Sequence, residues 1–297
     1  MTNEDIVVYE KPLLYHPKMI AAFAGWADVT QAGTSAVSYL IRKLEAKEFA
    51  DINAEEFYDF PANRPTATIS QGVVQSVKMP VSKFYYAKSQ AESHDMILLL
   101  GSEPNLKWQR YVNSILDLAG QLGVDKICLL GGLYDAVTHT MKVRITGVAS
   151  QQHLVETLKE HHVEALDYRG PSSIYSLILA VCKERGLEAF NLWGHVPFYI
   201  QAKNNPPTCF ALLSKLIELL EIELDLHDVE MAAVEFSSKL DKLMSQSAEL
   251  SLYIHTLEKQ YETKNKASLE DLEGVDKIIK EVEEFLKEER GGEDASF

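Results

Sequence analysis

The chain has 297 residues, of which 46% are hydrophobic, and a formal net charge of −15. That length suits one large domain or a domain with an appendage. The acidic balance leaves no basic face for nucleic acid, and no apolar run reaches the ~18 residues of a membrane span. Met1-Thr2-Asn3-Glu4-Asp5 lacks the basic start and apolar stretch of a signal peptide. Cys128, Cys182 and Cys209 stand far apart in apolar surroundings, which suits reduced thiols in a cytoplasmic protein better than a disulfide framework or a zinc site.

The first predicted elements are short strands, Ile6 to Tyr9 and Met19 to Ala24, the second apolar throughout and ending at Gly25. Asp28 then fits a helix N-cap, with Gln31 three residues on as its capping-box partner, and an apolar stripe carries that helix to about Ala46. Between Thr66 and Lys88, β-formers interrupted by Gly72 and Pro80 predict two or three antiparallel strands. From His94 onward strands and helices alternate. The stretch DMILLLGSEP reads as a buried strand, Pro104 as a first helical residue, and Gly123 as that helix's stop. DKICLLGG is a second buried strand, followed by the short strand TMKVRITGVAS and a helix capped by Ser150. A helix from Ile174 to Gly186, the strand AFNLWGHVP and a helix opened by Asn205-Pro206 complete the series. This alternation predicts a three-layer α/β/α sandwich around a mixed, largely parallel sheet, over residues 1–226.

The remainder reads differently. Val229, Ala233, Phe236, Leu240, Leu243, Ser247, Leu250, Ile254, Leu257 and Tyr261 step by four and three, a heptad seam. Leu272, Val275, Ile279, Val282 and Leu286 repeat it after a polar link from Thr263 to Ala267. Residues 227–290 therefore predict a helical hairpin, packed on or projecting from the α/β body, unless Ser245-Gln246-Ser247 divides its first helix. Residues 291–297 read as a disordered tail. From Ser268 to Phe297 eleven acidic residues face four basic ones, a net of −7, which suits a solvated surface.

Ligands of a parallel sheet sit beyond the carboxyl ends of its strands. Those ends carry Gly25, Trp26 and Asp28; Gly101 and Glu103; Gly131 and Gly132; and His195. Arg110 and His139 lie nearby in sequence, and these ten residues form the candidate ligand or partner cleft. No nucleotide-binding glycine motif, nucleophile elbow or zinc motif is present, so no catalytic residue, cofactor or metal is assigned. The adjacent His161 and His162 of EHHVE point apart on a helix and read as surface. Asp28 and Glu103, placed at two helix starts, already occupy the positive ends that a phosphate needs.

The stretches GWADVTQAGTSAVSYL, GSEPNLKWQRYVNSILDLAGQLGVDKICLLGGLYDAVTHT, YRGPSSIYSLILAVCKERGL and LWGHVPFYIQAKNNPPTCFALLSKLIELL resemble successive blocks of the proteasome assembly chaperone family, type 2, from about Met19 to Leu226. The helical tail resembles that of its prokaryotic members. The resemblance implies a nucleoside-phosphorylase-like fold without established catalytic residues, self-association, and protein clients such as proteasome subunits. Members that dock on proteasomes end in hydrophobic–tyrosine–any. This chain ends Ala295-Ser296-Phe297, with Ser in place of Tyr, so docking through that ending is not expected. The alternative left open by the residues is a nucleoside- or small-ligand-binding protein or enzyme that uses Trp26, Arg110, His139 and His195 in a phosphorylase-like cleft.

Overall fold

The computed structural model describes residues 5–89, 94–262 and 275–290. Its frame is a nine-stranded sheet: β1 (Ile6–Val8), β2 (Lys18–Ala24), β3 (Lys47–Ile52), β6 (Ser82–Ala87), β7 (Met96–Ser102), β8 (Lys126–Asp135), β9 (Ile145–Ala149), β10 (Glu164–Ala165) and β11 (Glu188–Pro197). The strands lie in the order β1-β3-β6-β7-β2-β8-β11-β9-β10. The four central strands β7, β2, β8 and β11 are parallel. β1, β3 and β6 continue the sheet antiparallel on one side, and β9 pairs antiparallel with β11 on the other.

The central strands are apolar at consecutive positions because both faces are covered. Met19, Ala21 and Phe23 of β2, with Ile97, Leu99, Ile127 and Leu129, point into one core. Their alternates Ile20 and Ala22, with Leu98, Cys128 and Leu130, point into the other, as the two-residue period of a strand requires. The first face carries α3 (Trp108–Gln121) and α5 (Ile174–Arg185), which bring Tyr111, Ile115, Tyr175 and Ile178. The second carries α1 (Ala32–Lys43) and α6 (Pro206–Leu220), with Ala36, Leu40, Leu212 and Leu216. The expected three-layer sandwich is thus the observed one. Short α2 (Ala54–Phe57) and α4 (Gln152–Glu160) fill connections. Between α2 and β6 a separate two-stranded ribbon, β4 (Thr66–Ser70) and β5 (Val73–Lys78), accounts for the antiparallel segment.

Two helix starts differ from expectation. α3 begins at Trp108, not Pro104; the Pro104 carbonyl instead accepts the Trp108 indole N–H at 2.6 Å. Ser150 does not cap α4. Its hydroxyl donates to the Leu187 carbonyl and accepts from the Ala189 amide, both at 3.0 Å, tying β9 to β11. Asn205 does cap α6, accepting from the Thr208 amide at 3.1 Å.

The C-terminal segment forms three helices, α7 (His227–Gln246), α8 (Ala248–Glu262) and α9 (Val275–Arg290). Ser247 is extended (φ −116°, ψ 106°) and divides α7 from α8; its hydroxyl accepts from the Leu250 amide at 3.2 Å. Phe236, Leu240, Leu243, Leu250, Ile254 and Leu257 are buried with Ile278, Val282 and Leu286 of α9. All of them close on Val196, Phe198, Tyr199 and Ile200 at the end of β11, so these helices pack on the body. Tyr261, the last seam residue, is exposed. Leu272, the link at 263–267 and the tail at 291–297 lie outside the described residues.

Removing residues 229–297 should therefore uncover Val196, Phe198, Tyr199 and Ile200 and lower soluble yield and melting temperature. Within the full chain, Leu240→Ala should cost about 3 kcal/mol, as deletions at fully buried leucines do. Urea unfolding of the variant measures it.

Candidate functional site: the carboxyl ends of the central strands

Strand β2 leaves the sheet at Gly25 and reaches α1 through one 3-10 turn, Val29–Gln31. Asp28 is buried in that turn. Its Oδ1 accepts from the Gly33 amide at 2.6 Å, and its Oδ2 accepts from the Thr34 hydroxyl at 2.5 Å, with the Thr34 amide at 3.3 Å from Oδ1. Asp28 does cap the helix start, one turn later than expected. The capping box with Gln31 does not form, because the Asp28 amide donates to the Gly25 carbonyl and Gln31 takes a left-handed conformation (φ 59°). Burial pushes the Asp28 carboxyl up to about 6, outweighing the Thr34 and Gly33 hydrogen bonds that favour its charge.

The turn is fastened to β8. The Gly132 amide donates to the Ala27 carbonyl at 3.1 Å. A Cβ on Gly33 would lie 2.1 Å from the Leu130 carbonyl oxygen, and one on Gly131 would lie 2.2 Å from the Trp193 ring. These glycines let helix, turn and indole approach the strand closely, which is a packing requirement. Gly101 has a similar neighbour in Ser82, whose hydroxyl joins Tyr58 (2.9 Å) and Tyr111 (2.6 Å) in a buried cluster.

Glu103 lies beside Gly25, but it serves a different helix from the one expected. Its Oε1 accepts from the Ile174 amide at 2.7 Å, at the start of α5, not α3. Arg110 is not at the cleft. It pairs with Asp5 and with Glu56 (3.2 Å), and its guanidinium lies over the Phe57 ring.

The two histidines come to one place. His195 Nδ1 meets Asp135 Oδ2 at 2.7 Å and Nε2 meets Thr146 Oγ1 at 2.9 Å. Asp135 is held in turn by Arg144 at 3.1 Å and the Ala136 amide at 2.8 Å. Burial works against the Asp135 charge, yet His195, the amide and Arg144 together hold its carboxyl below the usual range. A hydroxyl, an imidazole and a carboxylate in line are the order of an activated nucleophile. Here Thr146 is fully buried, and the cavity lined by His195 and His139 measures about 20 Å3, room for about one water.

His139 stands on the same cavity beneath α7. The Tyr199 hydroxyl accepts from the His139 amide (2.8 Å) and meets Nδ1 at 2.6 Å. The other ring nitrogen, Nε2, lies 3.4 Å from Asp241 Oδ1. Burial lowers the His139 pKa despite Asp241 and Glu258. His161 and His162 are not buried, with His161 Nδ1 on Glu218 at 2.9 Å. Among the described residues, no group of three or more His, Cys, Asp or Glu could hold a metal, and no helix is long and apolar enough to cross a membrane.

Three large apolar side chains are exposed at this end of the sheet, among exposed polar neighbours such as Lys107, Asp167 and Arg169. Trp26 is 60% exposed, whereas Trp193 is in the core and Trp108 is half-buried. Leu106, after β7, and Tyr168, before α5, are also exposed. The sequence missed the Thr34 hydroxyl, the Glu103 bond to α5 and the Tyr199–His139 pair. The last two had no local signal, since their partners are seventy-one and sixty residues apart.

Residues 22–244 match the model of the PAC2 family. The chain is 32% identical to a PAC2 family protein from Streptomyces avermitilis, covering 80% of this chain and 99% of that one with a TM-score of 0.73. It is 27% identical to a proteasome-assembly chaperone homologue from Mycobacterium tuberculosis, with coverage of 80% and 99% and a TM-score of 0.74. An archaeal proteasome activator from Pyrococcus furiosus is 25% identical, with coverage of 80% and 97% and a TM-score of 0.64. No curated protein matches.

Because the folded state raises the Asp28 pKa to about 6, it binds that proton more tightly than the unfolded chain. The stabilisation is full below about pH 4 and is lost as pH rises through about 6. The stability of the wild type relative to Asp28→Asn should therefore fall by up to about 3 kcal/mol between those limits, measured by urea unfolding of both proteins at pH 4 and pH 7.

Proposed function

The chain belongs to the PAC2 family, and on that premise we propose that it is a non-enzymatic, self-associating assembly chaperone or scaffold of the cytoplasm. Its clients are proteins such as proteasome subunits. The chaperone homologue and the proteasome activator among its structural neighbours support the client class. One observation carries the choice of protein binding over catalysis: the chain's own groups close the polar features at the strand ends, while Trp26 is left facing solvent. A large aromatic on a rigid turn is the usual anchor of a protein interface. On this reading residues 1–226 form the binding body and residues 227–290 the helical support that covers the His139 cavity.

The alternative, a nucleoside- or small-ligand-binding protein or enzyme, draws on the line of Thr146, His195 and Asp135. It requires the cavity beside them to open beyond its observed size.

Trp26→Ala should raise the dissociation constant of the chain's self-association at least about tenfold, the scale of an interface anchor, read by light scattering over a dilution series. It should change stability by no more than about 0.5 kcal/mol, as an exposed site does. Undiminished self-association would remove Trp26 from the interface. A melting temperature raised by nucleosides or phosphate would favour the ligand-binding alternative.

A further inference from the structure

The β4–β5 ribbon has no partner in the described chain: every residue of both strands is exposed. Gln71 and Gly72 at its tip both take positive φ (50° and 79°), the conformation of the two-residue turn that matches strand twist. The register pairs Ala67 with Val77 and Ile69 with Val74, and a bulge between Thr68 and Ile69 leaves Gln75 as the extra residue. In an unbulged strand Val74 and Val77, three apart, would face opposite sides. The bulge restores them to one side. One face of the ribbon is thus Ala67, Ile69, Val74 and Val77, and the other carries Thr66, Thr68, Ser70, Ser76 and Lys78 beside Val73. A hairpin with an apolar face is marginal in water on its own.

The ribbon is rooted at the edge that bears Trp26. It returns into β6 at Ser82, which sits against Gly101 at the carboxyl end of β7. Leu106 follows that same strand, and Tyr168 precedes the α5 terminus that Glu103 caps.

We propose that the ribbon is an arm that docks on a second copy of this chain, its apolar face covering the exposed Trp26, Leu106 and Tyr168 of that copy while the second arm returns the contact. The inference rests on the self-association proposed above and locates it. Two observations favour a second copy over another partner. The segment 66–79 holds one charge, Lys78, on a chain of net charge −15, so an acidic copy does not repel it. The area also fits. Ile69, Val74 and Val77 are between 55% and 63% exposed, and the three rim residues between 48% and 63%. Complete reciprocal burial of the apolar face and the rim removes at most roughly 1,600 Å2, the size of a standard stable interface. Reciprocity is the natural outcome of a twofold pair.

Light scattering and sedimentation of the full chain over a dilution series test the proposal. The wild type should run at a multiple of 33.4 kDa. Val74→Lys with Val77→Lys should raise the dissociation constant at least about a hundredfold. Ile69→Thr with Val74→Thr and Val77→Thr keeps β-branched side chains, so the ribbon still forms, and should raise it at least about tenfold. Far-UV circular dichroism should be unchanged in both. A wild type of 33.4 kDa at every concentration would overturn the arm and self-association together. An oligomer unaffected by either set of substitutions would overturn the arm alone. So would arm variants that assemble normally but no longer bind proteasome α-subunits, since the arm would then belong to a client.

Discussion

Two carboxylates of the chain itself hold the ends of helices at the edge where a parallel sheet ordinarily receives its ligand. Asp28 takes the first amides of α1 and Glu103 takes that of α5. Free helix N-termini beyond parallel strands bind anions, through their unsatisfied amides and the positive end of the helix dipole. Once occupied by Asp28, the α1 terminus repels a phosphate instead. The rest follows from this closure. Gly33 and Gly131 allow the turn to be drawn against β8 with no space for a ligand between them, and the exposed Trp26 stands on that fastened turn. The cost is visible at Asp28, whose carboxyl is so well buried that its pKa reaches about 6 in spite of its hydrogen bonds.

The same edge is closed a second time from above. Tyr199 fixes the His139 imidazole, and α7 and α8 bring Asp241 and Glu258 to the far side of that loop. The His195 relay lies underneath, geometrically in line but facing a cavity of about 20 Å3. Buried polar groups must be paired, and Asp135, His195 and Thr146 pair one another across three strands.

How much of this was legible in the sequence depended on the range of the interaction. Periodicities are local, so the buried strands of the sheet, the helices α5 and α6 and the heptad seam could be read from the chain; Phe236, Leu240, Leu243, Leu250, Ile254, Leu257, Val282 and Leu286 of that seam are buried, and Tyr261 is exposed. Caps were read less well, because a carboxylate near one helix start can serve another. Glu103 is five residues before α3, yet bonds to Ile174, seventy-one residues away. Arg110 was misplaced for the same reason: its position on α3 was predictable, but its pairing with Asp5 and Glu56 depends on where β1 and α2 fold. Pro104 and Ser150 carried correct helix-start chemistry and were recruited to bonds outside the helix backbone.

The ribbon shows the opposite limit. Its strands and turn were readable, but its apolar side was not, because the sidedness depends on a bulge that moves Val74 across the pleat. In a sequence, Val73, Val74 and Val77 show no alternation; in the fold, Val74 and Val77 share a face with Ala67 and Ile69. Burying such a face would cost no desolvated charge, since the ribbon carries Lys78 alone and on the other side. Leaving it in water forfeits the hydrophobic stabilisation of four side chains in an element too small to be stable by itself. Among the described residues nothing covers that face: every residue of both ribbon strands is exposed. The energetically consistent position for it is against other exposed apolar side chains, and Trp26, Leu106 and Tyr168 are such side chains on this chain.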